Sequence, residues 1–512
     1  MFSLESIWTF LSKNITKRDI IAVFALILLF FTVRLINLDK WPQFSDEGIY
    51  INWAKVAWKD ASWRFISVTD GRQPLQTWAT IPLLKLFSPN DLFAGRMFAV
   101  VSGFAGFTGM FALLYYLWGK KAAYIGALLY IFLPYLVFYE RIALVDAAVN
   151  AGFIWILFLS FVLIRTRRLD IAIIMGFMGG MALLAKSSSR MFLGLTAAAP
   201  ILYLGTKTKK LISQSMNYFF LLGVVAAISL LFYNVQRLSP YFHYVAQKNT
   251  TFILTRAEFF ADPFAYFQHN VWNIPLYVAW ESGWFIIPVS LAGLYLLLRK
   301  EKLTALYLSV FIFVPYIAIA FFARVLFPRY VLFYSTLLII TAAYFFTNIK
   351  SVRLRNITMG VLLVSMMLFN YPFLFDPARA SFPPVDRGQY VEGLTAVWGA
   401  EELMDIVKAD EQNGPVLVLA EGDFGLLADV LRVYDRYDDR IEIKGLWPLT
   451  EKNLYEYQPE LVNRDIYVAF SHRQEFPESW PIELVSTYEK PGNKKALYLF
   501  KLLKVPTDES TQ

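Results

Sequence analysis

The sequence predicts a mainly α, polytopic membrane protein with about 11 transmembrane helices, followed by a C-terminal extracytoplasmic α/β domain. The first observation is composition: 57% of the 512 residues are hydrophobic and 17% are charged, whereas soluble domains average about a quarter charged. The second is a series of long apolar runs separated by short basic clusters. The third is a reversal of charge, from 33 Lys/Arg against 15 Asp/Glu in residues 1–375 to 15 against 25 in residues 376–512.

Eleven apolar runs suit helices that cross a bilayer. A spanning helix needs about 20 mostly apolar residues. The runs are 19–38, 93–118, 121–138, 147–165, 171–186, 190–205, 217–236, 284–299, 303–323, 328–347 and 355–374. The first run lacks a small-residue cleavage site and is too long for the core of a signal peptide, so we expect it to remain as an anchor.

The loops between the runs predict the topology. Six basic clusters, at 13–18, 120–121, 165–168, 207–210, 299–302 and 350–355, all fall on one predicted side. Cytoplasmic loops are enriched in Lys and Arg, so we expect a multi-pass protein of the cell membrane with a cytoplasmic N-terminus and an extracytoplasmic C-terminus. Because topology accounts for the excess of basic residues, this excess indicates the lipid bilayer as a partner and not nucleic acid.

The predicted division is a transmembrane domain, 1–375, and a soluble outer α/β domain, 376–512. Within the first, residues 39–92 and 237–283 form long outer loops. The first of these loops contains two amphipathic segments, 49–59 and 75–87, that suit helices lying in the membrane interface. The outer domain has strand-like runs at 416–420, 466–470 and 496–502. The chain has no cysteine, which excludes disulfides and thiolate metal sites.

Two adjacent carboxylates, Asp46 and Glu47, follow the first apolar run on the predicted outer face. Acids near a bilayer are costly and often functional, and a carboxylate there can accept a proton from an attacking hydroxyl. The structural alternative is that Asp46 caps the helix that follows, by accepting hydrogen bonds from its free backbone N–H groups.

A second polar cluster, Glu140, Arg141 and Asp146, lies in a tight outer loop between two apolar runs. The planar fork of an arginine binds phosphate in a bidentate manner, and Asp146 could orient a substrate or a second active-site group. The alternative is an interfacial ion pair between Arg141 and Glu140 or Asp146, with a cap for the next helix.

Three further cations, Lys186, Arg190 and Arg329, lie on the predicted outer side, against the positive-inside trend. A lipid-linked phosphate would account for them, and snorkelling to lipid headgroups is the alternative. With the carboxylates, they describe an outward-facing pocket at the bilayer edge. Transfer from a polyprenyl-phosphate sugar has these requirements, because the hydroxyl needs a base and the leaving phosphate needs charge neutralisation.

These clusters, in their order along the chain, resemble the dolichyl-phosphate-mannose protein mannosyltransferase superfamily, which consists of membrane enzymes of the C-type glycosyltransferase fold. The resemblance is greatest to the bacterial branch that includes the lipid A aminoarabinose transferase, and it covers roughly residues 20–345. The elements that carry it are Asp46-Glu47, Asp70-Gly-Arg-Gln-Pro-Leu75, Gly95-Arg96, Arg141-Ile-Ala-Leu-Val-Asp146, Leu184-Ala-Lys186 and Pro328-Arg329-Tyr330.

The resemblance implies an inverting glycosyltransferase that moves a hexosyl or pentosyl group from a polyprenyl-phosphate donor to a hydroxyl acceptor on a glycan, lipid or protein. In that analogy Asp46 is the base, and Glu47 and Asp146 shape the acceptor or donor site. The cations Arg141, Lys186 and Arg329 hold the lipid phosphate. The implied catalytic residues are Asp46, Glu47 and Asp146, and the implied substrate-binding residues are Arg72, Glu140, Arg141, Lys186, Arg329 and Tyr330.

The chain departs from the family at one motif. Where many members have Lys-Pro-Pro, this chain has Arg72-Gln73-Pro74, so the donor-contacting lysine is missing. Some members bind a metal through a Glu beside that lysine and a His in the later outer loop. Arg72 replaces the Glu here, but Asp70 with His269 or His243 could supply ligands. The sequence therefore leaves two alternatives open: no cofactor, or a divalent metal ion.

Two other functions remain open at this point. One is a lipid or sugar transporter or flippase, although transporters usually carry charges at mid-membrane depth and show related halves, neither of which is seen here. The other is a non-catalytic protein of the same fold. The intact Asp46-Glu47 pair argues against that alternative, and the missing lysine argues for it.

Overall fold

The computed structural model describes residues 16–205, 207–435, 440–492 and 495–505. Lys13 of the first basic cluster and both chain ends lie outside these residues. The described chain has a large helical part followed by a smaller part built on one five-stranded sheet.

The helical part contains, within the described residues, seventeen α-helices, each named here with its bounds. They are α1 Lys17–Leu35, α2 Ser45–Lys59, α3 Leu75–Phe87, α4 Asp91–Phe132, α5 Pro134–Tyr139, α6 Asp146–Thr166, α7 Leu169–Ala185, α8 Arg190–Leu195, α9 Thr208–Asn234, α10 His243–Phe252, α11 Arg256–Ala261, α12 Phe267–Glu281, α13 Ile286–Lys300, α14 Lys302–Phe322, α15 Tyr334–Asn348, α16 Val352–Phe375 and α17 Pro384–Arg387. Short 3-10 helices at Ser187–Ser189, Thr196–Tyr203 and Pro328–Val331 complete the segments around α8 and α15.

Each of the eleven predicted apolar runs overlaps a helix. Among the described residues, α4, α6, α9, α14 and α16 are each long and apolar enough to cross a membrane, and the pair α12–α13, bent by 109°, would add a sixth. The segment α4 consists of two helices that meet in a kink at Gly119, whose φ is 80°, so it accounts for two of the predicted runs. The prediction of a polytopic membrane protein is confirmed, and the remaining predicted runs correspond to shorter helices.

The smaller part is an α/β arrangement, as predicted. Its elements are β2 Ala396–Val397, α18 Ala400–Asp410, β3 Val416–Glu421, α19 Leu427–Tyr434, β4 Ile441–Leu446, α20 Glu451–Glu456, β5 Asp465–Phe470, β6 Ile482–Glu489 and β7 Ala496–Leu502, and β2 pairs with β1 Gln43–Phe44 of the helical part. The sheet order is β4-β3-β5-β7-β6, with β3 parallel to both β4 and β5. Within this five-stranded sheet, the sequence did not predict β4 and β6. They form its two edges, where side chains are partly exposed and the apolar pattern is weak.

The two parts meet at α2. The antiparallel pairing of β1 with β2 holds the chain directly before α2. On α2 itself, Asn52 donates a hydrogen bond to the carbonyl oxygen of Asp429 on α19 at 2.8 Å. Lys55, also on α2, donates to the carbonyl oxygens of Arg432 and Asp435 at 2.6 and 2.9 Å. The helix that carries Asp46 is therefore fixed from both parts of the chain.

Candidate active site

A cavity of about 530 Å³ lies beside the first turn of α2. Its wall combines residues from α2, α6, α8, α10 and α14, and from the segments 71–73, 185–188 and 323–333. One portion is aromatic and aliphatic, and its side chains include Met191, Phe192, Phe252, Ile253, Ile319, Phe322, Leu326, Phe327 and Phe333. The charged portion contains Asp46, Arg72, Asp146, Lys186, Arg190, Lys248 and Arg329. Its five cations outnumber its two acids, so the cavity favours an anionic ligand with an apolar extension.

Asp46 lies between two guanidinium groups. Its Oδ2 is 3.6 Å from Nη2 of Arg329, and its Oδ1 is 3.9 Å from Nη2 of Arg72. Both distances exceed those of a good hydrogen bond, and the described residues donate no hydrogen bond to this carboxylate. Its side chain is 26% exposed. The carboxylate of Asp46 therefore lies between two cations, and both of its oxygens remain available to a hydroxyl.

Asp146, by contrast, is already engaged. Nζ of Lys186 lies 3.0 Å from its Oδ1, and the same ammonium lies 4.2 Å from the centre of the Tyr330 ring. This arrangement brings three of the residues implied by the resemblance to one wall. Asp146 orients Lys186, and Lys186 is placed to meet an anion.

Arg329 rests on a buried polar layer. Its Nη1 donates to Oε1 of Gln389 at 3.2 Å and to the hydroxyl of Tyr390 at 3.1 Å. Deeper in this layer the hydroxyl of Tyr139 donates to the carboxylate of Asp386. Burial raises the pKa of Asp386, although Tyr139 and Arg329 act in the opposite direction. The layer fixes the Arg329 fork toward the cavity.

A further cation, Lys248 on α10, reaches the cavity and was not among the predicted site residues. It is 2.8 Å from Oδ1 of Asp70, whose Oδ2 is 3.0 Å from Nε of Arg72. Burial disfavours the charge on Arg72, but Tyr50 and Asp46 outweigh it and raise the pKa of Arg72, so the guanidinium stays charged. Lys248 lies in the loop 237–283, which the sequence predicts to be on the outer side, so this cation departs from the positive-inside trend as Lys186 does.

Glu47 does not line the cavity, although it was predicted beside Asp46 in the catalytic set. Its carboxylate is fully buried and forms a bidentate pair with Arg96, with both contacts at 2.9 Å. The same oxygens accept hydrogen bonds from the backbone N–H groups of Phe44 and Ala143, at 2.9 and 2.8 Å. Because both of its oxygens are engaged, Glu47 joins the start of α2 to Arg96 and to the backbone of Ala143. Glu47 also takes part in capping α2, the role that the structural alternative gave to Asp46, because it accepts a hydrogen bond from the N–H of Phe44 directly before α2.

The structure places Glu140 and Arg141 away from the cavity lining, which differs from the prediction of substrate contacts. Glu140 forms a buried pair with Arg34 at 2.9 Å and accepts a hydrogen bond from Tyr130 at 2.6 Å. Arg141 donates to the carbonyl oxygens of residues 36 and 37 at 2.8 and 3.0 Å. The alternative of an ion pair between Arg141 and a neighbouring acid is not seen among the described residues either, since Glu140 faces Arg34 instead.

The predicted metal ligands do not fit a metal site. Asp70 is surrounded by two cations, Arg72 and Lys248, which repel a metal ion. The exposed His269 contacts Asn273 at 3.2 Å and does not line the cavity, and His243 contacts the carbonyl of residue 240. In the part of the chain that the structure describes, no three His, Asp or Glu side chains come together as ligands.

The fold has known relatives. ArnT from Cupriavidus metallidurans superposes with a TM-score of 0.59 in its apo state, at 14% identity, and 0.57 bound to undecaprenyl phosphate, at 13% identity; each match covers 94% of this chain and 97% of ArnT. The apo oligosaccharyltransferase of Archaeoglobus fulgidus matches at a TM-score of 0.50 and 12% identity, covering 88% of this chain and 69% of that one. No curated protein sequence matches significantly.

Fold and cavity together define a class: a multi-pass membrane protein of the C-type glycosyltransferase fold. The sequence adds that residues 72–233 match the family model of dolichyl-phosphate-mannose-protein mannosyltransferases. The resemblance to that superfamily is thereby confirmed over these residues, and the likeness to ArnT is a likeness of fold. The family match begins at Arg72 and ends in α9, so it includes Asp146 and Lys186 but neither Asp46 nor Arg329.

Proposed function

We propose that the protein is an inverting glycosyltransferase that moves a sugar from a polyprenyl-phosphate donor to an acceptor hydroxyl. The observation that carries the proposal is Asp46, a cavity carboxylate without a hydrogen-bond donor among the described residues, flanked by Arg72 and Arg329. A general base needs oxygens within reach of the nucleophile, and Asp46 alone of the two cavity acids has both oxygens available. Glu47, in contrast, is engaged by Arg96 and by backbone N–H groups.

The charges and shape of the cavity support a lipid phosphate as leaving group. The acceptor oxygen attacks the anomeric carbon as its proton passes to Asp46, and the bond from carbon to phosphate oxygen breaks with its electron pair on the phosphate. Lys186 and Arg329 lie where they can neutralise that charge. The aromatic and aliphatic wall suits a polyprenyl chain, and the ArnT structure bound to undecaprenyl phosphate is a relative of the same fold.

The location of this chemistry is part of the proposal. The site and the C-terminal domain, 376–512, lie on the outer face of the cell membrane, and the transmembrane domain is 1–375. The buried helical core continues to Val391, so the segment 376–391 packs with the helices. The acceptor, whether glycan, lipid or protein, would reach Asp46 from the outer side.

The test is turnover by the purified protein in lipid nanodiscs. Short-chain polyprenyl-phosphate hexoses, pentoses and amino sugars are offered with and without candidate acceptors, and released polyprenyl phosphate is measured. We expect acceptor-dependent release with at least one donor, and a Lys186→Ala variant that needs about tenfold more donor or worse. Translocation of an intact donor in proteoliposomes, without release, would instead favour the transporter alternative.

A further inference from the structure

One face of α2 leads from Asp46 toward the C-terminal part of the chain. Asp46, Tyr50 and Trp53 are spaced by four and three residues, so they lie on one side of the helix. The Tyr50 and Trp53 rings meet edge to face with their centres 5.7 Å apart. Arg72 lies across both, with its guanidinium carbon 5.0 Å from the centre of the Tyr50 ring and 5.8 Å from that of Trp53.

Phe424 of the C-terminal part extends this row. Its ring centre is 5.9 Å from that of Trp53. Trp53 itself is only 7% exposed, whereas Phe424 is 52% exposed, so Trp53 supports a ring whose outer face is open. Phe424 thus lies at the far end of a continuous row that begins at the proposed catalytic base.

The loop that carries Phe424 has a defined shape. It connects β3 to α19, and Gly422 and Gly425 on either side of the ring have φ values of 89° and 67°, which L side chains rarely adopt. The N–H of Gly425 donates to Oδ2 of Asp429 at 2.8 Å. The carbonyl oxygen of Asp429 also accepts a hydrogen bond from Asn52 of α2, so Asp429 holds both the loop and α2. The position of Phe424 relative to Asp46 is therefore fixed in advance.

The surroundings of Phe424 identify the chemistry of a ligand. Its neighbour Asp423 pairs with Arg432, which also contacts Asp429. An exposed ring beside paired carboxylate and guanidinium groups matches a carbohydrate, which stacks its C–H face on the ring and bonds its hydroxyls to planar polar groups. Two acids against one arginine disfavour a phosphorylated or otherwise anionic ligand.

Resting on the proposed function, we propose that Phe424 is an acceptor-binding residue that stacks against a neutral sugar unit of a glycan acceptor. Asp46 and Trp53 are seven residues apart on α2, which is about 10 Å at a rise of about 1.5 Å per residue. The Phe424 ring centre lies 5.9 Å beyond that of Trp53, so the row from Asp46 to Phe424 is longer than two pyranose rings. The acceptor hydroxyl at Asp46 therefore belongs to one terminal sugar, and Phe424 contacts a unit about two to three positions away.

The test uses Phe424→Ala and Phe424→Tyr in the full-length protein, with neutral oligosaccharides of one to four hexose units as acceptors. The control is Tyr455→Ala, which removes another exposed ring, 47% exposed, from the same part of the chain. Acceptor KM, kcat and acceptor-independent hydrolysis of the donor are measured for each variant. Oligosaccharide binding is measured separately by calorimetry, without donor.

We expect wild-type KM to fall as the acceptor lengthens to about three or four units. Phe424→Ala should lose that gain, with KM for the longer acceptors about tenfold higher, a loss typical of truncating an aromatic contact. Donor hydrolysis and monosaccharide KM should not change, and Phe424→Tyr should restore the length dependence. Tyr455→Ala should behave as wild type.

The proposal is overturned if Phe424→Ala lowers donor hydrolysis as much as transfer, or leaves the length dependence intact. It is also overturned if only lipid or peptide acceptors react. If wild type hydrolyses and transfers no donor, the proposed function fails on its own. The calorimetric comparison then decides about Phe424, because loss of oligosaccharide affinity in Phe424→Ala alone supports the proposal and equal affinity contradicts it.

Discussion

At the scale of single residues, the chain assigns different tasks to two adjacent carboxylates. Asp46 faces the cavity, with its oxygens beyond hydrogen-bond distance of Arg72 and Arg329. Glu47 is rotated about 100° around the helix from Asp46, and its carboxylate forms a buried pair with Arg96. The sequence predicted both acids as catalytic. It could not distinguish their roles, because the partner of Glu47 lies 49 residues away.

Glu47→Gln should destabilise the protein. The side chain keeps its shape but leaves the charge of the fully buried Arg96 without a counterion, and breaking a buried pair in this way typically costs about 3–5 kcal/mol. We expect a clearly lower thermal midpoint in detergent. Asp405→Asn, which removes an acid that is 65% exposed, is the matched control and should not shift it. A Glu47→Gln protein that is as stable as wild type but inactive would return Glu47 to the catalytic set.

At the scale of elements, α2 is positioned by its contact with α19. A Cβ atom at Gly48 would lie 2.8 Å from the carbonyl oxygen of Asp429 and 2.9 Å from its carbon. These are backbone atoms that cannot rotate away, so the two helices approach closely only because residue 48 is glycine. The bonds from Asn52 and Lys55 to α19 follow on the next turns.

Gly48→Ala should therefore separate the two helices and displace Asp46. Overpacking of this kind costs about 1–3 kcal/mol, and a shift of about 1 Å at a catalytic group can lower the rate about 100-fold. The readouts are the thermal midpoint and kcat for transfer.

Gly360→Ala in α16 is the control for this variant, because a Cβ atom at residue 360 would meet no other described segment within 4 Å. Alanine is the better helix former, so neither readout should fall. Equal stability and activity of Gly48→Ala and wild type would show that the α2–α19 contact does not position Asp46.

The same scale shows what the sequence could predict. Apolar periodicity predicted α2 and α3 closely, and it predicted the central strands β3, β5 and β7, because their side chains are buried. Residue chemistry and the family resemblance did not single out Lys248. They assigned Arg141 to the site, whereas its contacts in the structure are backbone carbonyls. Which cation faces a cavity depends on the packing between loops far apart in sequence, and local patterns do not encode that.

At the scale of the whole molecule, the proposed chemistry requires one orientation in the membrane. The chain contains no cysteine, so single introduced cysteines report orientation without background. Glu478 in the C-terminal part and Lys209 in a basic cluster are both exposed. They lie on opposite sides of the predicted topology.

A membrane-impermeant maleimide should label Glu478→Cys on intact cells. It should label Lys209→Cys only after the membrane is permeabilised, because the positive-inside rule places that cluster in the cytoplasm. Labelling of the two variants in the reverse order would put the cavity on the cytoplasmic side and contradict the proposed location of the site.

The whole arrangement depends on one group, and Asp46→Asn tests it most directly. The amide has the same shape but cannot take the proton of the acceptor hydroxyl, and loss of a general base typically lowers the rate about 10²–10⁴-fold. We expect kcat for transfer to fall by at least about 100-fold, with donor KM and the thermal midpoint nearly unchanged. Retained transfer, or a loss of activity no larger than an accompanying loss of folded protein, would contradict the assignment of Asp46 as the catalytic base.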